Sequence, residues 1–135
     1  MRKMLFLAAS VLAISFAACD KEGTGGDDLT VQVVGDYLGD YVEFDGSSSV
    51  TISDVETTIT RASNTKINVL MELIPGLVSL QFTADMDDET SFTIPSFTYD
   101  VFNLEGDGSF ANDVVTINLR EVGSVDAFAT YTGGK

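Results

Sequence analysis

The chain has 135 residues, with no histidine, no tryptophan and a single cysteine, Cys19. The absence of histidine excludes a Ser-His-Asp triad, a histidine general base and an ordinary zinc site. A single cysteine also excludes an internal disulfide. An enzyme built from this sequence would have to use carboxylates, tyrosine, lysine or a bound cation. We therefore expect a protein that is not an enzyme.

Basic residues are scarce as well, with seven Lys and Arg against 21 Asp and Glu, and the net charge is −14. A chain this acidic repels phosphate backbones, so a nucleic-acid partner is excluded. The charge favours solubility at a surface, or partners that are basic or bring cations.

The chain opens with two basic residues, Arg2 and Lys3, followed by an apolar run over residues 4–16. A membrane-spanning helix needs about 20 apolar residues, so this run is short for one, and its layout is that of a secretory signal peptide. Two small alanines follow the run and precede Cys19. The sequence thus predicts a cleaved signal peptide over residues 1–18.

The Ala-Ala-Cys sequence at the end of this run resembles the lipobox of bacterial lipoproteins. In those proteins the cysteine is acylated with diacylglycerol and becomes the mature N-terminus. Phe16 departs from the pattern, which usually has Leu, Val or Ile there. The alternative is an ordinary cleaved signal with a coincidental cysteine. The resemblance implies lipidation of Cys19, hence a membrane anchor and an outer-membrane lipoprotein of the cell envelope.

The segment after the cysteine is polar, acidic and rich in glycine. Such a composition cannot bury enough apolar surface to become ordered, so residues 19–34 are predicted to be a flexible tether. Its Lys21 and the neighbouring acids resemble the surface-export signal of Bacteroidota lipoproteins, which implies exposure at the cell surface. Within the tether, residues 29–34 are compatible with a short turn of helix or with a strand.

Residues 35–135 are rich in Val, Ile, Thr, Phe and Tyr and have turn signals every few residues. The alternation of apolar and polar residues predicts eight strands, of which the second is one kinked strand or two short ones. Pro75-Gly76 predicts a type II turn, and the shifted alternation at Pro95 predicts a bulge or an edge. The predicted fold is an all-β, antiparallel meander barrel, with an open β-sandwich as the alternative. The predicted strands cover residues 36–44, 50–61, 66–73, 78–84, 92–101, 105–110, 114–120 and 124–132.

Two short motifs resemble the calycin-like (lipocalin-like) small lipoproteins of Bacteroidota. The first is Gly-Asp-Tyr-Leu-Gly at residues 35–39. The second is the Gly-Asp-Gly-Ser-Phe hairpin at residues 106–110, with the strand after it and the final Tyr-Thr-Gly at residues 131–133. The resemblance implies an eight-stranded barrel on a lipid tether, and it implies no catalytic residues.

Aromatic side chains form the first candidate site. Tyr37 and Tyr41 lie in the first predicted strand, and Phe97 and Tyr99 follow the proline shift in the fifth. Together with Phe44 and Phe102, such rings could line the mouth of a barrel and bind an apolar or sugar-like ligand. The alternative is that the rings fill the interior, since eight strands leave room for little more than side chains.

A carboxylate cluster forms the second candidate site, with Asp85, Asp87, Asp88 and Glu89 lying within five residues. Calcium prefers several hard oxygen ligands, and this loop could supply two or three of them. The EF-hand pattern is not met, because Thr90 occupies the position of its turn glycine. The alternative is a solvated hairpin loop that protects a hydrophobic strand pair from aggregation. We expect no cofactor other than this calcium.

The function predicted from these features is that of an anchored envelope lipoprotein that binds a small apolar or carbohydrate-like ligand. The alternative is an accessory or interaction subunit that acts on an envelope protein through the outer surface of a filled barrel. The two hypotheses differ in the barrel interior, which is hollow and reached from the mouth in the first and filled in the second.

Overall fold

The protein is described by a computed structural model for residues 27–135, so the predicted signal peptide and Cys19 lie outside the described residues. Eight antiparallel strands follow one another around a closed barrel, and β1 pairs with β8 to complete the ring. This confirms the predicted barrel and not the open sandwich. Residues 27–135 contain no helix that is long and apolar enough to cross a membrane. The strands are β1 (Gly35–Asp45), β2 (Ser48–Ser63), β3 (Lys66–Ile74), β4 (Val78–Met86), β5 (Ser91–Tyr99), β6 (Phe102–Ala111), β7 (Val114–Glu121) and β8 (Ala127–Gly134).

The ring closes where β1 meets β8, in a register that runs from Leu38 opposite Gly134 to Glu43 opposite Ala129. Gly39 faces Gly133 in this pairing. A Cβ atom on Gly39 would lie 2.0 Å from the carbonyl oxygen of Thr132. This distance is too short for any side chain to be accommodated at position 39. The two strands approach this closely because residue 39 has no side chain.

The strands bury one face and expose the other, as their sequence alternation predicts. In β3, for example, Ile67, Val69 and Met71 are fully buried, while Asn68 and Glu72 point outward and are half-buried. The inward side chains of the eight strands form one hydrophobic cluster that fills the barrel. Apolar residues thus face inward and polar residues outward, the reverse of the alternation in a membrane-spanning barrel, whose apolar band faces lipid.

Turns and bulges follow the local sequence signals. Leu77 donates its backbone N–H to the carbonyl of Ile74 at 2.9 Å, and Gly76 has a φ of 75°, as expected for the third residue of the predicted Pro-Gly turn. The pairing of β5 with β6 shifts register between Ile94 and Phe97, which confirms the irregularity predicted at Pro95.

The second predicted strand is a single long one, β2, and it contains the predicted kink. Asp54 lies within it with a φ of 58°, in the left-handed region that non-glycine residues rarely adopt. Opposite this site, the register between β1 and β2 shifts between Gly39 and Tyr41. The bend therefore lies beside the seam where β1 closes the barrel.

The barrel has two ends that differ in character. We call one the N-terminal end: the chain enters the barrel there, and it carries the connections at residues 64–65, 87–90 and 112–113. We call the other the far end, and it carries the connections at residues 46–47, 75–77, 100–101 and 122–126.

Part of the predicted tether packs onto the N-terminal end. A turn over residues 29–33 brings Val33 into the core, where it is fully buried. Leu29 donates its N–H to the carbonyl of Asn64 at 2.9 Å, and the Tyr37 hydroxyl donates to the carbonyl of Val33 at 2.6 Å. The segment that packs against the barrel therefore begins before residue 35, the predicted domain boundary, because Leu29 and Val33 supply apolar surface that the polar residues 20–28 lack.

Candidate functional site

A cleft of about 520 Å³ opens at the far end of the barrel. Its walls come from the end of β1, the start of β6, and the connection from β7 to β8 with the first residues of β8. The meander topology brings these segments together, because β6, β7, β8 and β1 are consecutive neighbours in the ring. The cleft is lined by Glu43, Phe44, Asp45, Gly46, Phe102, Glu121, Ser124, Asp126, Ala127 and Phe128.

Aromatic rings contribute the apolar part of the cleft. Phe102 and Phe128 pack against each other with ring centroids 4.9 Å apart and planes inclined at 54°. Phe128 belongs to the core cluster, and Phe102 packs against it from the cleft side. Phe44 is more exposed than either of them. The cleft thus has aromatic walls that are anchored in the barrel core.

Carboxylates contribute the polar part, with Glu43, Asp45, Glu121 and Asp126 among the ten lining residues and no basic residue among them. Glu43 is half-buried and accepts a hydrogen bond of 3.0 Å from the hydroxyl of Tyr41, which is 1% exposed. Burial, together with the nearby Glu43 charge, raises the pKa of Tyr41 far above its usual range. Tyr41 therefore stays protonated and holds the Glu43 carboxylate in place as a hydrogen-bond donor.

The basic side chains of residues 27–135 are engaged elsewhere. Arg61 pairs with Asp28 and Lys66 with Asp85, both near the N-terminal end. Arg120 lies on the outer wall, 3.7 Å from a Glu105 oxygen and 3.6 Å from an Asp107 oxygen.

Lys135, at the N-terminal end, donates from Nζ to the carbonyl of Gln32 at 2.6 Å and lies over the rings of Tyr37 and Phe110. A second cleft of about 400 Å³ lies beside it and is lined by Lys135 as well as by acids. The far-end cleft therefore differs from this second cleft, because its lining has acids and no basic residue.

The far end also carries exposed apolar side chains on three of its four connections. Leu77 is 84% exposed, Val101 83% and Val125 97%, the highest values among the large apolar residues of the described chain. The connections between strands at the N-terminal end are instead built from Asn, Thr, Asp and Glu. The far end thus combines an acidic cleft with apolar loop tips, and this asymmetry distinguishes the two ends.

The structure does not bring the four predicted ligand-binding aromatics to one mouth. Tyr37 lies at the N-terminal end beneath residues 29–33, and burial raises its pKa above the usual range. Tyr41 is in the core, and Phe97 packs against the core on the ring of Phe82, with ring centroids 5.0 Å apart. Tyr99 is half-buried, with its pKa raised by burial and by the charge of Glu43. Tyr37 and Tyr41 thus pack inside the barrel, in agreement with the alternative prediction that these rings fill the interior.

The predicted calcium ligands are not brought together either. Asp85 pairs with Lys66, and Asp87 accepts a hydrogen bond of 2.8 Å from the Thr93 hydroxyl. Asp88 is bound at 2.7 Å by the backbone N–H of Thr90, which holds the pKa of this carboxyl below its usual range.

Glu89, the fourth of them, accepts a hydrogen bond of 3.2 Å from the Gln32 amide. Each carboxylate thus turns to its own partner in the loop or on a neighbouring segment. Within residues 27–135, no group of three or more carboxylates, cysteines or histidines is arranged to hold a metal ion.

Most of the far-end cleft is not predicted by the sequence. Phe44 and Phe102 are predicted as part of a ring-lined mouth, whereas Glu43, Glu121, Asp126 and Phe128 are not singled out by any motif. One signal was available, because alternate connections of a meander barrel emerge at the same end. The acids at the end of β1 and around the connection from β7 to β8 could therefore have been grouped.

No protein-family model matches the chain, and no curated protein matches it. Among solved structures, the chain is similar to the crystal structure of a "putative outer membrane protein" from Bacteroides fragilis NCTC 9343, with a TM-score of 0.56 and 18% sequence identity. The match covers 80% of this chain and 53% of that protein, so the chain spans about half the length of its structural neighbour. At this level of identity the similarity shows a shared fold. The calycin-like type has no support from a family match.

Proposed function

We propose that the protein is a lipid-anchored, non-enzymatic lipoprotein of the cell envelope, with a barrel of calycin-like type that docks an envelope protein through its far end. The observation that carries this proposal is the asymmetry between the two ends. The acidic cleft and the three most exposed large apolar side chains of the described residues lie at the same end. The fold shared with a protein described as an outer membrane protein supports a place in the envelope.

The filled interior favours a protein partner over a small ligand held inside the barrel. Tyr37, Tyr41 and Phe92 are each at most 2% exposed and occupy the space that a ligand would need. An interior ligand would have to displace side chains packed at core density, which costs several kcal/mol. The geometry therefore supports the interaction function, which is the alternative to ligand binding among the functions predicted from the sequence.

The exposed loop tips favour a protein over a small molecule in the cleft. A small ligand in the cleft would leave Leu77, Val101 and Val125 in water, whereas a protein surface could cover the cleft and the tips together. Exposed apolar side chains gain free energy when a partner covers them, and these three lie at one end of the barrel. The unpaired acids of the cleft make a basic partner surface the complementary one.

Lipidation of Cys19 would orient this surface. Asp27 lies eight positions after Cys19. These eight residue-to-residue steps span at most about 28 Å when the chain is fully extended, so the barrel would stay near the membrane. Since the chain enters the barrel at the N-terminal end, the far end would be turned away from the anchor.

In the Cys19→Ser variant, we expect loss of radiolabelled fatty-acid incorporation and of membrane partitioning. Unchanged labelling in that variant would contradict the anchor.

Site-specific photo-crosslinking in intact cells tests the docking surface. We expect a benzophenone amino acid at Val101 or Val125 to give one discrete adduct with the same envelope protein, identified by mass spectrometry. The same probe at Thr60 and Ser109, which are exposed on the barrel wall, serves as the matched control and should give no such adduct. Adducts that form equally from the wall positions would contradict the proposal. A small molecule released from the purified protein on denaturation, detected by native mass spectrometry, would favour ligand binding inside the barrel instead.

A further inference from the structure

We infer that the far-end cleft binds a basic side chain of the partner, preferentially that of an arginine. This side chain stacks on the Phe102–Phe128 pair and is flanked by the cleft carboxylates. This inference rests on the proposed docking function and names the chemistry that the docking surface recognises. It concerns a protein segment and not a free metabolite, because the exposed Val101 and Val125 adjoin the cleft residues Phe102 and Asp126 in the chain and would be covered only by a larger partner.

The charge of the cleft selects a cation. Four of its ten lining residues are acids, none is basic, and the described basic side chains nearest in the fold are paired or lie at the other end. Carboxylates left without a counter-charge repel one another, and a cation entering between them relieves this repulsion. A neutral or anionic side chain would gain nothing comparable.

The spacing of the acids selects a large cation over a metal ion. The cleft residues come from β1, from the end of β7 and from the connection to β8, so they surround the cavity rather than converge on one point. In the described part of the chain, no three ligating side chains are arranged to hold a metal ion. A guanidinium spreads its charge over a plane with five N–H donors and can address several separated carboxylates at once.

The aromatic walls match the same group. A guanidinium stacks on aromatic faces, where the ring attracts its positive charge. Phe128 is anchored in the core and Phe102 packs on it at 4.9 Å, so the pair is in place before a partner arrives. Volumes of about 300–1,000 Å³ are typical of ligand pockets, and the cleft of about 520 Å³ therefore accommodates an arginine with its flanking residues.

Glu43 is the carboxylate most firmly held in place. Its Oε2 atom accepts the hydrogen bond from the buried Tyr41 hydroxyl at 3.0 Å, and its pairing partner across the barrel seam is Ala129, next to Phe128. A carboxylate fixed in this way loses little conformational entropy when it binds a cation. The other three acids lie nearer the rim and add charge around it.

The inference is tested by NMR titration of the ¹⁵N-labelled protein with the peptide acetyl-Leu-Arg-Leu-amide. The matched control peptide carries citrulline, which has the shape of arginine without its charge. We expect the arginine peptide to shift the amide signals of Glu43, Phe102 and Phe128, and the citrulline peptide to leave them in place. No shift in the cleft up to about 10 mM arginine peptide, where even a Kd in the millimolar range gives clear changes, would overturn the inference.

Paired variants locate the effect. Glu121→Gln with Asp126→Asn should weaken binding of the arginine peptide about fivefold, because this double variant removes two of the four acids that line the cleft. Asp36→Asn with Asp113→Asn removes the same charge at the N-terminal end and should change the affinity less than about twofold, because salt screens distant charges. Equal losses from both pairs would overturn the inference in favour of attraction by net charge alone.

The outcomes also separate this inference from the proposed function. If the far-end crosslinks form but the arginine peptide does not bind, the docking surface stands and its arginine recognition is wrong. If the peptide binds but the crosslinks form from the barrel wall, the cleft is a cation site and the docking function is wrong. The spectrum of each variant shows directly whether its fold is intact, so a loss of binding is not confused with unfolding.

Discussion

Gly39→Ala is expected to destabilise the barrel by more than about 3 kcal/mol, the upper range for a side chain forced into a packed site. The added Cβ would lie 2.0 Å from the Thr132 carbonyl oxygen and 2.4 Å from the Gly133 Cα. Both atoms belong to the backbone of β8, so a rotamer change cannot relieve the clash, and β1 would have to move away from β8. Urea unfolding followed by far-ultraviolet circular dichroism measures the loss.

Gly134→Ala is the matched control, one residue beyond Gly133 in the same strand pair. Its added Cβ would meet the Asp113 carbonyl oxygen at 3.8 Å, an ordinary contact. We expect this variant to remain within about 1 kcal/mol of the wild type. If both variants unfold at the same urea concentration, the close approach at the seam is not what requires glycine at position 39.

Phe92→Ala is expected to cost about 3–5 kcal/mol, the usual range for removing a buried aromatic ring. Phe92 is 1% exposed and lies directly across from Gly108 in the pairing of β5 with β6. Its ring covers that glycine so closely that a Cβ on residue 108 would lie 2.1 Å from it. Thermal and urea unfolding of the variant measure the cost.

A double-mutant cycle tests whether the ring and the glycine form one packing unit. Gly108→Ala should be strongly destabilising in the wild type, where the ring blocks the new methyl group. In the Phe92→Ala background it should be less so, because the methyl group enters the space the ring has left. An interaction free energy above about 1 kcal/mol is expected for residues in contact. Additive effects would contradict the packing described for this pair.

The strand pattern could be predicted from the sequence because alternation has one physical cause throughout, the burial of one strand face. The observed strand bounds differ from the predicted ones where a turn uses residues that carry no strong sequence signal for a turn. The fifth strand was predicted to extend to Val101 but ends at Tyr99, since Asp100 adopts a φ of 55° and starts a tight connection. An aspartate in that conformation is a weaker sequence signal for a turn than the glycine of Pro75-Gly76. The sequence therefore predicts the start of β6 at Glu105, three residues after its observed start at Phe102.

The candidate site was harder to predict because it depends on closure of the ring. Glu43 and Phe128 are 85 positions apart in the chain and meet only because β1 pairs with β8. The sequence shows which residues turn inward within a strand, but the register across the closing seam is a property of the whole barrel. Tyr41 illustrates the difference, because the sequence leaves open whether its ring lines a mouth or fills the interior. The ring lies in the core, where its hydroxyl donates a hydrogen bond to Glu43.

The short pairing between β4 and β5 has a consequence for association between copies of the chain. Only Asp85 opposite Thr93 and Met86 opposite Phe92 form this ladder, so the rest of the β5 edge is not covered by β4. An uncovered strand edge is a template for strand addition and for aggregation. Pro95 lies on this strand and has no N–H to offer an incoming strand, and the register shift around it bends the edge out of line. The residue that interrupts the alternation of β5 thus also protects the β5 side of this gap from intermolecular β-pairing.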